Sequence, residues 1–199
     1  MIKLGITGGI ASGKTLSSNF FKERGAYIFN ADKESKKHLK SSITLQKKIS
    51  DIFGKKILQE NKINFNQLAD IAFSNKVNNS ILNGIMWPEV YLIINNTYNK
   101  IKNKKKYNMF IVDAALIFEA NYTSFFDYTL LITAPEKIRL DRAVNRRNIS
   151  LENIQNRISL QMTDKEKINL ADYVIKNEYS IENLYKKIDE IFKKIISVK

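Results

Sequence analysis

Residues 8–15, Gly8-Gly9-Ile10-Ala11-Ser12-Gly13-Lys14-Thr15, match the pattern G-x-x-x-x-G-K-[ST] in full. Their flanks decide the fold. Ile2 to Thr7 is a short apolar run of strand type, and after Gly13 the apolar residues Leu16, Phe20 and Phe21 recur at helical spacing until Gly25 stops them. Strand, glycine-rich turn and helix in that order make a phosphate-binding loop. The glycines let the backbone fold back, so that successive N–H groups point at phosphate oxygens. The helix that starts near Gly13 adds its positive end. On this reading the backbone of Gly9, Ile10, Ala11, Ser12 and Gly13 cradles a nucleoside triphosphate. Lys14 reaches the β- and γ-phosphates, and the Thr15 hydroxyl ligates Mg²⁺. An ordinary glycine turn has no need of Lys-Thr after Gly13.

Further along, Ala26 to Asn30 reads as a second strand and Asp32 to Lys40 as a helix. Residues 44 to 106 hold no convincing strand. Leu45, Ile49, Ile52 and Phe53 recur at helical spacing, as do Phe65, Leu68, Ile71 and Ala72, then Ile81, Leu82, Ile85 and Met86. Several helices are expected there, with a break before Pro88. Met109 to Val112 is a strand ending at Asp113, and Tyr128 to Thr133 is another. Glu136 to Arg147 is an arginine-rich helix, Ser150 caps the next, Tyr173 to Ile175 is a last strand, and Ile181 to Ile196 an amphipathic helix. Strands alternate with helices, so the expected fold class is α/β: a P-loop kinase core with a parallel sheet flanked by helices. One domain is expected over residues 1–199: core 1–43, 107–138 and 165–199, a helical acceptor-binding insertion 44–106, and an arginine-bearing lid 139–164.

Composition removes several classes of function. The 199 residues are 44% hydrophobic, enough for a core. There is no cysteine, which excludes disulfides, thiolate metal sites and cysteine nucleophiles and suits a reducing compartment. The single histidine, His38, cannot build a multi-histidine metal site. The opening residues run straight into strand and loop with no signal-peptide pattern, and no apolar run approaches the roughly 20 residues that span a bilayer. A soluble cytoplasmic monomer without a membrane partner is expected. The net charge of +13 invites a nucleic-acid reading, but its lysines are scattered among asparagine and isoleucine, as compositional drift would leave them. The dense run from Lys100 to Lys106 reads as a solvated connection. No nucleic-acid partner is expected, although the field should help attract polyanionic nucleotides.

The loop does not specify a reaction. Asp32 follows the second strand, on the sheet edge where open α/β folds hold ligands. It could take a proton from an acceptor hydroxyl, help hold Mg²⁺, or simply cap a helix. Asp113 ends Phe110-Ile111-Val112 in the Walker B manner and is expected in the Mg²⁺ shell, with capping again the alternative. Glu119, six residues on, would alone pass as a surface acid. Arg139, Arg142 and Arg146 are three and four apart and share one helix face, with Arg147 and Arg157 nearby. Guanidinium groups suit the charge on transferring phosphates, and a mobile helix bearing them would also exclude water. A solvated basic helix is the alternative.

Taken together these segments resemble the dephospho-coenzyme A kinase family. Leu4 to Thr15, with its Thr-Gly-Gly-Ile lead, is similar to that family's loop, and Asn30-Ala31-Asp32 to its Asp-Ala-Asp motif. Phe65 through Pro88 resembles its coenzyme-binding helices, and Val112 to Glu119 its Val-Asp-x-Pro-Leu-Leu-Phe-Glu segment. Arg142-Ala143-Val144-Asn145-Arg146 resembles its lid; Arg157-Ile158 with Gln161, and Ala171 to Asn177, resemble its closing motifs. The resemblance implies ATP-dependent phosphorylation of the ribose 3′-hydroxyl of dephospho-coenzyme A, with Mg²⁺ held by Thr15 and Asp113. It implies Asp32 as general base, Lys14 and Arg146 on the transferring phosphate, and Arg142 on ATP. The implied acceptor contacts are Thr7, Asp32, Leu82, Trp87, Pro88, Glu119 and Gln161. Three residues depart from the pattern: Asn30 for Asp, Trp87 for His, and Ala115 for Pro. Rival readings are another small-molecule kinase, for nucleoside monophosphates or shikimate, and a nucleotide switch. A GTP-binding switch should carry an Asn-Lys-x-Asp motif after a strand, and Ala134-Pro135-Glu136-Lys137 does not fit it.

Overall fold

A computed structural model of the chain describes residues 1–104, 106–146 and 150–197. Its first strand, β1 (Ile2–Thr7), lies at the centre of the sheet and is buried almost throughout. In chain order there follow α1 (Lys14–Glu23), β2 (Ala26–Asn30), α2 (Ala31–Ser41), α3 (Ile43–Phe53), a short hairpin of β3 (Leu58–Gln59) and β4 (Lys62–Ile63), α4 (Phe65–Ala72) and α5 (Lys76–Lys102). Then come β5 (Met109–Asp113), β6 (Tyr128–Thr133), α6 (Glu136–Arg146), α7 (Leu151–Ser159), α8 (Asp164–Ile168), β7 (Tyr173–Lys176) and α9 (Ile181–Ser197).

Five strands pair in the order β2-β5-β1-β6-β7, all parallel, as the continuous apolar runs of β1, β5 and β6 require. Helices cover both faces. On one, Phe20 and Phe21 of α1 and Leu184, Ile188 and Ile191 of α9 pack over Leu4, Ile6 and Ile132. On the other, Val90, Ile94 and Ile101 of α5 pack with Phe29, Phe110, Val112 and Phe125. A separate cluster, including Leu45, Ile49, Phe53, Ile57, Leu68 and Ile85, holds the helices between β2 and β5 together. Because every strand of the sheet runs the same way, the ends of β1, β2, β5 and β6 open on a single edge. The chain leaves β1 toward β2 on one side and β5 toward β6 on the other, which is the switch point where such sheets bind ligands.

Two expectations for the central region need correction. First, the hairpin β3–β4 is present, turning through Glu60 and Asn61, both at positive φ (50° and 60°). Strands of two residues are too short to show a period. Second, α5 runs without a break through Pro88. A proline inside a helix loses one hydrogen bond and costs ~3 kcal/mol or more. Burial offsets that cost: Ile85 and Met86 before it enter the helical cluster, and Val90 and Ile94 after it enter the sheet core. Close by, the Tyr122 hydroxyl donates to the Trp87 carbonyl, and burial pushes its pKa up to about 12. Among the described residues no helix is long and apolar enough to cross a membrane.

Candidate active site

The loop after β1 is built by conformations that side chains resist. Gly8 and Gly13 have φ of 148° and 112°, and a Cβ on Gly8 would fall 2.0 Å from the Ile132 carbonyl oxygen. Ala11, at φ 56°, is held left-handed despite its Cβ. Lys14 Nζ donates to the carbonyls of Gly8 (2.8 Å) and Gly9 (3.0 Å), curling back over the loop. Asn177, just past β7, braces the loop from behind. Its side chain donates to the Ser12 carbonyl at 2.8 Å and its backbone N–H to the Thr133 carbonyl at 2.7 Å. Sequence reading placed Asn177 only within a closing motif. A lone Asn after a strand carries no signal that it supports a loop 165 residues earlier.

Asp113 ends β5 opposite Asn30 in register and is 5% exposed. Burial raises its pKa above the ordinary carboxylate range; nearby Lys14 and Ser18 favour the charged form, and Asp32 opposes it. Thr15 is the second residue of α1 and is exposed. The cap of α2 is Asn30, whose side chain accepts from Lys33 N at 2.9 Å. Asp32 is therefore not the cap. It sits at the second helical position, exposed, near enough to Asp113 for their charges to interact. The departure at residue 30 thus leaves a good cap, since Asn and Asp cap about equally well.

Most of the other expected site residues are less exposed. Thr7 is fully buried and its hydroxyl donates to the Ala115 carbonyl at 3.0 Å. Glu119 Oε1 accepts from Lys167 Nζ (2.8 Å), a fully buried cation, and from Met162 N (3.0 Å). That pair ties the return segment behind α7 to the loop after β5. Gln161 lies half-buried on the same segment. Leu82 packs against the helical cluster, Trp87 is half-buried, and Pro88 is exposed. Arg142 Nη1 donates to the Asn177 carbonyl at 3.3 Å, beside a pocket of about 180 Å³ lined by Ala11, Gly13, Leu16 and Tyr179. Arg157 lies 4.6 Å over the Phe73 ring, so α7 touches the end of α4. Arg146 ends α6; its side chain, and Arg147 altogether, fall outside the described residues. Sequence reading passed over α8, although Thr163-Asp164-Lys165-Glu166 spells a capping box, and both its hydrogen bonds are made.

The site therefore brings one phosphate loop and two acidic residues, Asp32 and Asp113, to one sheet edge. Among the described residues no group of three or more His, Cys, Asp or Glu gathers to hold a metal ion. The Thr15 hydroxyl and the Asp113 carboxylate are oxygen donors of the kind Mg²⁺ takes alongside waters and substrate phosphates.

Fold and loop together define a P-loop kinase of the α/β class. A family model described as dephospho-CoA kinase (CoaE) matches residues 2–183. The chain is 34% identical over 192 residues to dephospho-CoA kinase of Chlamydia caviae, covering 96% of this chain and 95% of that one. It is 36% identical to the Fusobacterium nucleatum enzyme of the same name, covering 94% of each. The solved structure of dephospho-CoA kinase from Campylobacter jejuni superposes with a TM-score of 0.68 at 27% identity, over 97% of this chain and 96% of that one. Shikimate kinase from Aquifex aeolicus shares the fold, with a TM-score of 0.55 at 17% identity over 98% of each chain. The chain belongs to the dephospho-CoA kinase family.

Proposed function

We propose that this chain transfers the γ-phosphate of ATP to the ribose 3′-hydroxyl of dephospho-coenzyme A, giving coenzyme A and ADP. The observation that carries the reading is membership of that family over nearly the whole chain, with a complete phosphate loop facing two carboxylates on one edge. Lys14 exchanges its bonds to the loop carbonyls for phosphate oxygens. Asp32, exposed at the edge, receives the proton of the acceptor hydroxyl. The helical region 44–106 holds the acceptor, and residues 139–164 form the lid, whose α7 already reaches α4 through Arg157. Thr15 and Asp113 would hold Mg²⁺, which would supply positive charge to offset that of the phosphates. A chain without cysteine suits the reducing cytoplasm.

The test is an ADP-release assay with ATP and Mg²⁺ against dephospho-coenzyme A, nucleoside monophosphates and shikimate. Turnover is expected with dephospho-coenzyme A alone. Faster turnover with shikimate or a nucleoside monophosphate would overturn the assignment.

Asp113 gives a separate check. Its carboxyl binds a proton more tightly folded than unfolded, so stability from this group is greatest at low pH and falls as pH rises through its raised native value. At neutral pH the buried charge is a net cost. Asp113→Asn is thus expected to raise the melting temperature of the nucleotide-free protein at pH 7, by about 2–4 °C per kcal/mol recovered. The same change should sharply lower Mg²⁺-dependent turnover. A destabilised variant with normal turnover would remove Asp113 from the metal site.

A further inference from the structure

We infer that Arg139 is a further phosphate-binding residue of this transfer, a guanidinium held beside the loop to take an oxygen of the γ-phosphate. The inference rests on the reading of residues 8–15 as a triphosphate loop. It does not depend on which acceptor is used.

The side chain of Arg139 is 8% exposed. A guanidinium carries five N–H donors, yet among the described residues no hydrogen bond uses any of them. Nε is buried and has no partner. The nearest carboxylate is Asp164, with Oδ2 at 3.7 Å from Nη2, beyond hydrogen-bond reach. That oxygen already accepts the Thr133 hydroxyl. A buried guanidinium without hydrogen bonds is costly, and it is the arrangement expected of a group placed to bind an anion.

Its location says which ligand. Nη1 lies directly against Gly9: a Cβ on that residue would fall 1.8 Å away. A side chain at position 9 would have to push the guanidinium aside from this place. The carbonyl of Gly9 also accepts from Lys14 Nζ, so two cations converge on one residue of the loop. A pocket of about 450 Å³ opens at this point, lined by Gly9, Thr133, Arg139, Gln161 and Asp164. It lies between the loop and the segment that returns from α7. Arg142, one turn further along α6, is engaged instead with the Asn177 carbonyl. Arg139 is thus a guanidinium at the loop that makes a 3.7 Å ion pair with Asp164 but no hydrogen bond among the described residues, and a planar fork suits a phosphate oxygen pair.

A salt bridge to Asp164 that merely joins α6 to α8 makes different predictions. The test compares wild type, Arg139→Gln and Arg139→Lys. Dissociation constants are measured for ADP and for a non-hydrolysable ATP analogue, with kcat and melting temperature alongside. If Arg139 meets the γ-phosphate, Arg139→Gln weakens the ATP analogue about tenfold or more, the loss expected for a hydrogen bond to a charged group. ADP affinity stays within about twofold, kcat falls, and the empty protein melts no lower than wild type. Arg139→Lys restores part of the ATP affinity. Equal loss for both nucleotides, no loss for either, or a lowered melting temperature with an unchanged ATP-to-ADP ratio overturns the inference. Failure of wild type to bind either nucleotide overturns the loop assignment itself, and this inference with it.

Discussion

Lys14→Ala is expected to reduce phosphoryl transfer by ~10²–10³-fold or more while leaving a folded protein, because a preorganised charge aimed at the transition state is worth that much. The ammonium bonds the carbonyls of Gly8 and Gly9. Losing two partly exposed bonds of this kind should cost about 1–3 kcal/mol, a shift of about 2–12 °C in a chain this long. The sheet core contains no part of Lys14, so cooperativity of unfolding should persist. The kinetic pattern is informative. If Lys14 acts on the γ-phosphate as charge develops, kcat falls even at saturating ATP. If it only helps ATP bind, KM rises and kcat recovers. Lys14→Arg is expected to fail as well, because a planar fork cannot replace a compact ammonium in a loop this tight. Near-normal turnover of Lys14→Ala at saturating ATP would remove Lys14 from the reacting phosphate.

Most of the sheet was legible because its strands are buried on both faces and read as unbroken apolar runs. The boundaries of β2 and β6 follow directly from Ala26–Asn30 and Tyr128–Thr133. The phosphate loop was legible because its chemistry fixes residue types at fixed spacing. What stayed hidden depends on contacts distant in the chain. Asn177 meets Ser12 across 165 positions, and Lys167 meets Glu119 across the return from α7. Nothing local marks a lysine in a basic segment as fully buried. Pro88 misled because a local rule, that proline breaks helices, was set against burial in two cores. The residue roles were partly resolvable: Asp32 could be base or cap on sequence grounds, and it took the Asn30 side chain on Lys33 N to remove the second option.

That removal sharpens the expectation for Asp32→Asn, which should lower kcat by at least ~10²-fold with ATP affinity nearly intact. A positioned general base contributes ~10²–10⁴-fold. Asparagine keeps the shape and most hydrogen bonding of aspartate but cannot take the proton. Stability offers little to confuse the result. Asp32 is exposed at the second position of α2, where an acidic side chain gains about 0.3–1 kcal/mol from the helix dipole. The cap itself belongs to Asn30 and is untouched. Removing the Asp32 charge also removes one influence that holds the Asp113 pKa up, so Asp113 should ionise more readily in the variant and metal binding should not suffer. A loss of kcat without loss of melting temperature or of ATP affinity therefore isolates the proton transfer. Because the transition state of phosphoryl transfer is loose, orientation of the hydroxyl contributes too, and Asp32→Ala should fall below Asp32→Asn by the part due to orientation. Wild-type kcat in Asp32→Asn would reduce the residue to a partner of the helix dipole. The base would then have to be sought elsewhere: Asp113 is enclosed at the foot of the loop, whereas Glu119, held through Oε1 by Lys167 and Met162, keeps a buried Oε2 with no hydrogen bond among the described residues.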